Sequence, residues 1–169
     1  MPMLSLAVSL EFEKKSDSLP PGKHVATVAE IEQVFVEGFP GSTTRAVVFR
    51  QWDILLQAIQ RIIPIQQQWL YGSFVTQKEN PADIDLVSHF DGAAMDGLDP
   101  VDKMLVHGLI SGHYTRDLHG VDSFAIVFYP EGHPARAEYE KAMGFWEDML
   151  AHQGRSGDTK GYVEVKLDG

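Results

Sequence analysis

The spacing of apolar and polar residues along the chain predicts helices and strands in mixed order. Residues 4–12 alternate between apolar and polar side chains, which is typical of a strand with one buried face. Residues 47–63 carry apolar side chains every three or four positions, which predicts a long helix that Pro64 ends. Thr27 and Glu30 have the spacing of a capping box, so an earlier helix is expected to begin there.

The second half of the chain continues this mixture without an internal repeat. Strands are predicted at residues 69–71, 83–87, 121–128 and 162–167, helices at residues 100–114 and 135–151, and loops at residues 91–99 and 154–161. The strand at residues 121–128 is nearly all apolar, which is typical of a buried strand. The expected fold class is α/β (α+β), with a single mixed sheet flanked by helices.

Length and composition indicate one domain and narrow the range of functions. We expect residues 1–18 to form an N-terminal strand or extension and residues 19–169 to form the domain. No cysteine is present, which excludes a thiol nucleophile, a disulfide framework and a cysteine-bound metal. The 14 basic and 24 acidic residues give a net charge of −10, which argues against a surface for duplex DNA. No segment has the pattern of a membrane span or a signal peptide, so we expect a cytoplasmic protein.

Three aspartates are the first candidates for chemistry. Asp83 and Asp85 are two residues apart on a predicted strand, so both side chains are expected on the same face. Adjacent carboxylates repel each other, and a divalent cation such as Mg²⁺ or Mn²⁺ relieves that repulsion by taking hard oxygen ligands. Asp122 is the only charged residue in the strand at residues 121–128, and it completes a set of three acids if the two strands are neighbours.

A glycine–serine pair precedes these acids, directly after the strand predicted at residues 69–71. Gly72 would let backbone amides approach a phosphate closely, and the Ser73 hydroxyl is able to donate a hydrogen bond to it. Three converging carboxylates are able to hold two metal ions, one beside an acceptor hydroxyl and one on a triphosphate. The acidic charge of the chain is therefore compatible with an anionic substrate that is bound through metal.

The order of these residues resembles the polymerase-β-like nucleotidyltransferase superfamily, and most of all its small bacterial members, the minimal nucleotidyltransferases. The resemblance is carried by Gly-Ser at residues 72–73, nine further residues, Asp-Ile-Asp-Leu at residues 83–86 and the later Asp122. The core of the resemblance covers about residues 27–128. Further similarity lies in Leu-Pro-Pro-Gly before this core and in Lys-Gly-Tyr-Val-Glu-Val at residues 160–165.

The resemblance implies a role for each of these residues. The nucleotide phosphates would be held by Gly72 and Ser73, with Thr76 and Lys78 as further candidate contacts. The metals would be bound by Asp83, Asp85 and Asp122, and the last of these would also help to activate the acceptor hydroxyl. The implied reaction transfers a nucleoside monophosphate from a nucleoside triphosphate, with ATP as the expected nucleotide, and releases pyrophosphate.

Two of these residues have a second interpretation. Asp83 follows a proline and an alanine, so the alternative is a turn residue, with only Asp85 on the strand. Lys78 fits a phosphate contact and a solvated loop lysine equally well. Lys160 or Arg155, in the predicted loop before the last strand, is also able to reach the phosphates.

Other charged residues are expected to be structurally ordinary. Three histidines recur every six residues, at positions 107, 113 and 119, and no acid or cysteine completes a zinc site with them. They are therefore interpreted as surface or packing side chains. Arg45 and Arg50 are interpreted as helix charges, and the acids of residues 91–102 as a solvated loop and helix start.

The expected function is a metal-dependent nucleotidyltransferase whose acceptor is a protein side chain, an RNA end or a small molecule. The acidic charge disfavours RNA, and a protein partner is favoured because no separate acceptor domain is evident after the core. The resemblance also implies the context of a toxin–antitoxin or phage-defence module. One alternative is a catalytically weak nucleotide- or partner-binding module, antitoxin-like, on the same fold. Another is a homo-oligomeric scaffold that uses residues 4–12 as an edge strand, and the oligomeric state is left open.

Overall fold

Five strands form one mixed sheet in the part of the chain that the computed structural model describes, residues 10–152 and 160–167. In chain order they are β1 (Gly22–Thr27), β2 (Gln67–Tyr71), β3 (Ile84–Asp91), β4 (Val121–Phe128) and β5 (Gly161–Lys166). Across the sheet the order is β1-β5-β2-β3-β4. β1 is parallel to β5 and β3 is parallel to β4, whereas β2 is antiparallel to both of its neighbours.

Helices flank this sheet, as the sequence pattern predicts for the α/β (α+β) class. Among the described residues the α-helices are α1 (Val28–Glu32), α2 (Arg45–Gln60), α3 (Gly92–Asp96), α4 (Pro100–Leu109), α5 (His113–His119) and α6 (Arg136–Ala151). α1 continues as a π-helix over Gln33–Glu37, and a short 3₁₀ turn covers Ser73–Val75. None of the described helices is long and apolar enough to cross a lipid bilayer.

The starts of the first two helices follow from local hydrogen bonds. The predicted capping box is confirmed, because the Thr27 hydroxyl accepts from the Glu30 amide and the Glu30 carboxylate accepts from the Thr27 amide. At the start of α2 the Ser42 hydroxyl accepts from the Arg45 amide at 3.1 Å. α2 ends at Gln60, before the proline that the sequence marks as its limit.

The sequence pattern predicts a single helix over residues 100–114, but two helices, α4 and α5, occupy this part of the chain. That prediction is wrong because Gly112 has a φ of 61°, which interrupts the helical backbone between α4 and α5. A Cβ atom at Gly112 would lie 2.6 Å from the Phe124 ring, so only glycine lets the chain approach β4 this closely. The Gly112 amide donates to the Ser123 carbonyl at 2.7 Å, which holds the start of α5 against β4.

Residues 91–99 also differ from the prediction of a solvated loop. They contain α3, which begins because the Asp91 carboxylate accepts from the Ala94 amide at 3.0 Å. Asp99 caps α4 in the same way, by accepting from the Asp102 amide. Asp91 and Asp99 are therefore helix caps, and Asp102 lies in the first turn of α4, as the predicted helix start requires.

The strand predictions hold at β2, β3, β4 and β5, with two differences. β4 is buried as predicted over its first three residues and at Ile126, because α5 and α6 cover it, although it forms one edge of the described sheet. β1 has no counterpart in the sequence predictions, since its residues lack a clear alternation of apolar side chains. Of the strand predicted at residues 4–12, residues 4–9 lie outside the described residues, and residues 10–12 are not in a strand.

The two faces of the sheet bury different side chains. Alternate residues of β3, such as Leu86 and Phe90, pack in the larger core with Trp52 of α2. The intervening residues point to the opposite face, where Val87 packs with Trp146 of α6. Asp85 belongs to this second face, at the end of β3 where the strand begins.

Candidate active site

The register of the sheet aligns two acids and a tyrosine across three strands. Tyr71 of β2 pairs with Asp85 of β3, which in turn pairs with Asp122 of β4. Residues paired in this way share one face of a sheet. The sequence left open whether the strand of Asp122 lies beside that of Asp85, and the register shows that it does.

Asp83 joins these acids from outside the strand. β3 begins at Ile84, so Asp83 precedes the strand, and the prediction that both acids lie on it is wrong for Asp83. The cause is the proline–alanine turn before it, which was the alternative interpretation. Even so, the charge of Asp83 acts on Asp85, and one Arg116 nitrogen lies 3.8 Å from an Asp83 oxygen and 3.7 Å from an Asp122 oxygen. We refer to Asp83, Asp85 and Asp122 as the carboxylate cluster.

α5 supplies two basic side chains to the carboxylate cluster. Besides Arg116, the His113 Nδ1 atom lies 3.3 Å from an Asp122 oxygen. The His113 side chain is 71% exposed and the Arg116 side chain 46%, whereas that of Asp122 is 5% exposed. The cluster is therefore buried on the sheet and open to solvent on the α5 side.

Crowding of the acids changes their protonation. Burial raises the pKa of Asp85 to about 7, and the neighbouring charge of Asp83 and a hydrogen bond to Asp122 add to this effect. Burial and the charge of Asp122 also raise the pKa of Asp83. The pKa of the Tyr71 phenol is raised as well, first by burial and then by the charge of Asp85, so Tyr71 remains a neutral hydrogen-bond donor.

Gly72 connects β2 to the carboxylate cluster. Its φ of 76° and ψ of −159° lie in a region that only glycine adopts without strain. A Cβ atom at this position would lie 2.2 Å from an Asp85 carboxylate oxygen. The glycine of the Gly-Ser pair is therefore required by the backbone turn and also by the close approach of Asp85.

Residues 72–78, which we call the Gly-Ser loop, are fixed from inside by Arg45. This side chain is fully buried, and its guanidinium donates to the carbonyl groups of Phe74, Thr76 and Lys78 at 2.6–2.8 Å. It also donates to the Phe35 carbonyl in the π-helix. Burial lowers the pKa of Arg45 to about 10, well above neutrality, so the buried group keeps its charge. The interpretation of Arg45 as an ordinary helix charge is wrong.

A second segment holds the Gly-Ser loop from outside. The Gln77 amide donates to the Asp17 carbonyl at 2.7 Å, and Ser18 forms an antiparallel bridge with Thr76. Within the loop, the Thr76 hydroxyl donates to the Ser73 carbonyl and accepts from the Lys78 amide. The backbone that carries Ser73 and Lys78 is thus tied at several points.

A cavity of about 520 Å³ opens beside the Gly-Ser loop. This volume lies within the range of small-molecule sites, roughly 300–1,000 Å³. Its walls include all four predicted nucleotide-binding residues together with Tyr71 and a lysine from the far end of the chain, namely Gly72, Ser73, Thr76, Lys78, Tyr71 and Lys160. The carboxylate cluster does not line this cavity, whose walls also include Asp17, and it meets the cavity at Tyr71 and Gly72.

The remaining candidates, which are two basic residues near β5 and three histidines, differ in whether they lie at the site. Lys160 lines the cavity, whereas Arg155 lies outside the described residues. His119 lines an apolar groove away from the acids. His107 is exposed on α4, so these two histidines match their interpretation as surface or packing side chains. His113 is exposed as well, but it contacts Asp122 and so belongs to the site.

Sequence reasoning missed four residues of the site: Arg45, Tyr71, His113 and Arg116. For Arg45 a signal exists, because it precedes Val48 by three residues and Trp52 by seven and so shares their buried helix face. The contacts of Arg116 depend on the helix break at Gly112, and no local pattern in the sequence indicates them.

The donor set of the carboxylate cluster fits a divalent cation. Among the described residues, no group of three or more histidine and acidic side chains already has the arrangement of a metal site. However, the Oδ1 atom of Asp122 is buried and accepts no hydrogen bond while Asp85 is ionised. A buried oxygen of this kind beside two further carboxylates is the chemistry that Mg²⁺ and Mn²⁺ prefer.

Comparison with known proteins gives one family. A family model described as a family of unknown function (DUF6932) matches residues 10–166 of the chain. No curated protein and no solved structure matches it. The match covers the Gly-Ser loop and the carboxylate cluster together with all five strands of the sheet.

Proposed function

The chain belongs to the DUF6932 family, and from this premise we propose that it is a divalent-metal-dependent nucleotidyltransferase of the polymerase-β-like superfamily. The proposal rests on one observation, the position of the carboxylate cluster beside the cavity of the Gly-Ser loop. Asp83, Asp85 and Asp122 converge beside Gly72, whose turn opens into the cavity of the Gly-Ser loop. A cluster of acids next to an anion-sized cavity is the arrangement that metal-assisted phosphoryl transfer requires.

The carboxylate cluster would hold the metal. Asp85 and Asp122 offer oxygens from neighbouring strands, and Asp83 offers oxygens from the turn before β3. When bound, Mg²⁺ or Mn²⁺ would neutralise the charge on the phosphates and lower the pKa of the acceptor hydroxyl. The buried Asp122 oxygen without a hydrogen bond supports this assignment.

The cavity would hold the nucleoside triphosphate. The hydroxyl of Ser73 and the ammonium groups of Lys78 and Lys160 give the cavity donors and positive charge for phosphate oxygens. Gly72 would let the chain lie close to the phosphates, as it already does to Asp85. Arg45 contributes by fixing the backbone of the loop, which keeps Ser73 and Lys78 in place before the substrate arrives.

The acceptor would approach from the α5 side, where His113 and Arg116 are exposed. Its hydroxyl oxygen would form a bond to the α-phosphorus, and the bond from that phosphorus to the β-phosphate oxygen would break. Pyrophosphate leaves, and the hydroxyl proton passes to the Asp122 carboxylate. A protein side chain is the proposed acceptor, in a cytoplasmic partner protein and in the context of a toxin–antitoxin or phage-defence module. The acidic charge of the chain disfavours RNA.

The test is incubation of the purified chain with each α-³²P-labelled nucleoside triphosphate, Mg²⁺ and a cell extract. We expect label on protein, with ATP as the preferred donor, and its loss by at least about 1,000-fold in the variant Asp83→Asn/Asp85→Asn. The matched control is Asp117→Asn, an exposed acid on α5, which should keep full transfer.

Three outcomes separate the candidates. Label on RNA rather than on protein would support a nucleotidyltransferase whose acceptor is RNA. Nucleotide binding without transfer of label would favour the binding module on the same fold. Full transfer by a double variant whose circular dichroism equals that of the unsubstituted protein would exclude the carboxylate cluster as the site.

A further inference from the structure

Arg116 has an unusual position relative to the carboxylate cluster. Its Nη1 atom lies 3.8 Å from an Asp83 oxygen and 3.7 Å from an Asp122 oxygen, so a single cation bridges the two outer acids. Among the described residues, no other lysine or arginine lies within ion-pair distance of the cluster. The guanidinium therefore occupies the electrostatic position of a cation between carboxylates.

We infer that Arg116 is the resident counter-cation of the carboxylate cluster, and that a divalent metal ion displaces it on binding. The inference rests on the proposed function, because it assumes that the cluster is a metal site. It goes further by assigning to one arginine the control of metal affinity. The cluster would exchange one cation for another, and Arg116 would determine how readily that exchange occurs.

The contacts of Arg116 are those of a side chain that is able to leave. Both distances exceed hydrogen-bond range, and its side chain makes no hydrogen bond among the described residues. About half of the side chain is exposed, on α5 at the open side of the cluster. An ion pair at these distances restrains the arginine side chain only weakly, so a new ligand of the carboxylates is able to replace it.

The carboxylate cluster, in contrast, is stabilised by a nearby cation. The Asp122 side chain is 5% exposed, so water screens its surroundings little, and its Oδ1 atom has no hydrogen-bond partner among the described residues. Arg116 and a divalent ion cannot both lie within about 4 Å of the same oxygens without strong mutual repulsion. Binding of the metal therefore requires Arg116 to turn toward solvent.

The experiment measures binding of Mn²⁺ alone to the full chain, by electron paramagnetic resonance of the free ion. We expect Arg116→Gln to bind Mn²⁺ about tenfold more tightly than the unsubstituted protein, because one positive charge near the site is removed. Arg116→Lys, which keeps the charge, should bind within about threefold of the unsubstituted protein. Arg50→Gln, which removes an exposed arginine of α2, is the control for net charge and should leave affinity unchanged.

A second readout separates displacement from a general charge effect. Without metal, Arg116→Gln should melt at a lower temperature at pH 8 than the unsubstituted protein, since the acids lose their counter-cation. Saturating Mn²⁺ should then raise its melting temperature more than that of the unsubstituted protein. Equal shifts in the two proteins would overturn the inference.

Mn²⁺ binding by the Asp85→Asn and Arg116→Gln variants distinguishes failure of this inference from failure of the proposed function. If Asp85→Asn weakens Mn²⁺ binding but Arg116→Gln does not strengthen it, the cluster is a metal site and Arg116 does not govern it. If Asp85→Asn binds Mn²⁺ as tightly as the unsubstituted protein, the cluster is not a metal site. That last result would overturn both proposals.

Discussion

Two arginines contact the candidate site, and they differ in how they are held. Arg45 is fully buried and donates four hydrogen bonds of 2.6–2.8 Å to backbone carbonyl groups. Arg116 is half-exposed and lies 3.7–3.8 Å from two carboxylates without a hydrogen bond. A buried guanidinium that donates several hydrogen bonds to the backbone fixes the chain around it, whereas a loosely paired one balances charge and is able to move. The side of the site proposed for phosphate is thus rigidly held, whereas the side proposed for metal carries a loosely paired arginine.

The largest expected effect comes from removing the fixed arginine. Arg45→Met leaves four carbonyl groups without their donor inside the protein, which should lower the free energy of unfolding by about 4 kcal/mol. Urea denaturation followed by circular dichroism measures it. The matched control is Arg50→Met on the exposed face of the same helix, which should change stability by less than about 0.5 kcal/mol. A small effect of Arg45→Met would mean that Arg45 resembles Arg116 and that the comparison fails.

A second contrast lies along β3, where a base and an acid share one face of the sheet. His89 is 7% exposed and its ring lies 4.2 Å from that of Trp69, and burial lowers its pKa to about 4. Asp85 lies four residues earlier with its pKa raised to about 7. Burial disfavours the charged form of both groups, so it acts in opposite directions on the two pKa values. Between about pH 4 and pH 7 the two groups therefore act in opposite directions: His89 destabilises the metal-free protein at the acid end of this range and Asp85 at the neutral end.

Acid should destabilise the protein through His89. The imidazole of an unfolded chain takes up a proton below about pH 6.5, whereas in the folded protein it does so only near pH 4. Stability is therefore lost as the pH falls through this window, by about 3 kcal/mol for this group. Urea denaturation at pH 7 and pH 4 should show a smaller loss for His89→Gln than for the unsubstituted protein. Equal losses would show that His89 is protonated when folded.

A rise in pH should act in the opposite direction, through Asp85. Its folded pKa of about 7 exceeds that of an unfolded aspartate, so stability is lost as the pH rises from about 4 to neutrality. At pH 8, with a chelator present, Asp85→Asn should therefore raise the free energy of unfolding, by an amount of the same order as the His89 effect. Asp117→Asn, the exposed control on α5, should change it little. A variant less stable than the unsubstituted protein would mean that the ionised form of Asp85 does not destabilise the folded protein.

Much of this architecture is contained in local patterns of the sequence. The alternation around Asp85 and the apolar run around Asp122 place each acid on a strand, and the glycine at residue 72 marks the turn before them. Only the structure shows that the two strands are neighbours. These predictions succeed because strand periodicity and glycine geometry depend on a few adjacent residues. The position of Asp83 required knowing where β3 begins, which sequence patterns define poorly.

The contacts of the two arginines lie beyond such patterns. Arg45 could have been recognised as buried from its helix face, but its hydrogen-bond partners come from residues 35 and 74–78, which only the folded chain brings together. Arg116 reaches the acids because Gly112 turns α5 against β4. Both assignments depend on tertiary contacts, which cannot be read from the local patterns of a single sequence.

The strand order β1-β5-β2-β3-β4 has a consequence for the biosynthesis of the protein. β5 lies between β1 and β2, yet it is made after all the other described strands. While the chain is being synthesised, β1 has no strand to pair with and β2 has an open edge, so the sheet cannot close until β5 emerges. Lys160, which lines the cavity, immediately precedes β5 and arrives with it. A nascent chain is therefore expected to lack a complete substrate cavity, which delays the appearance of any activity until synthesis has passed β5.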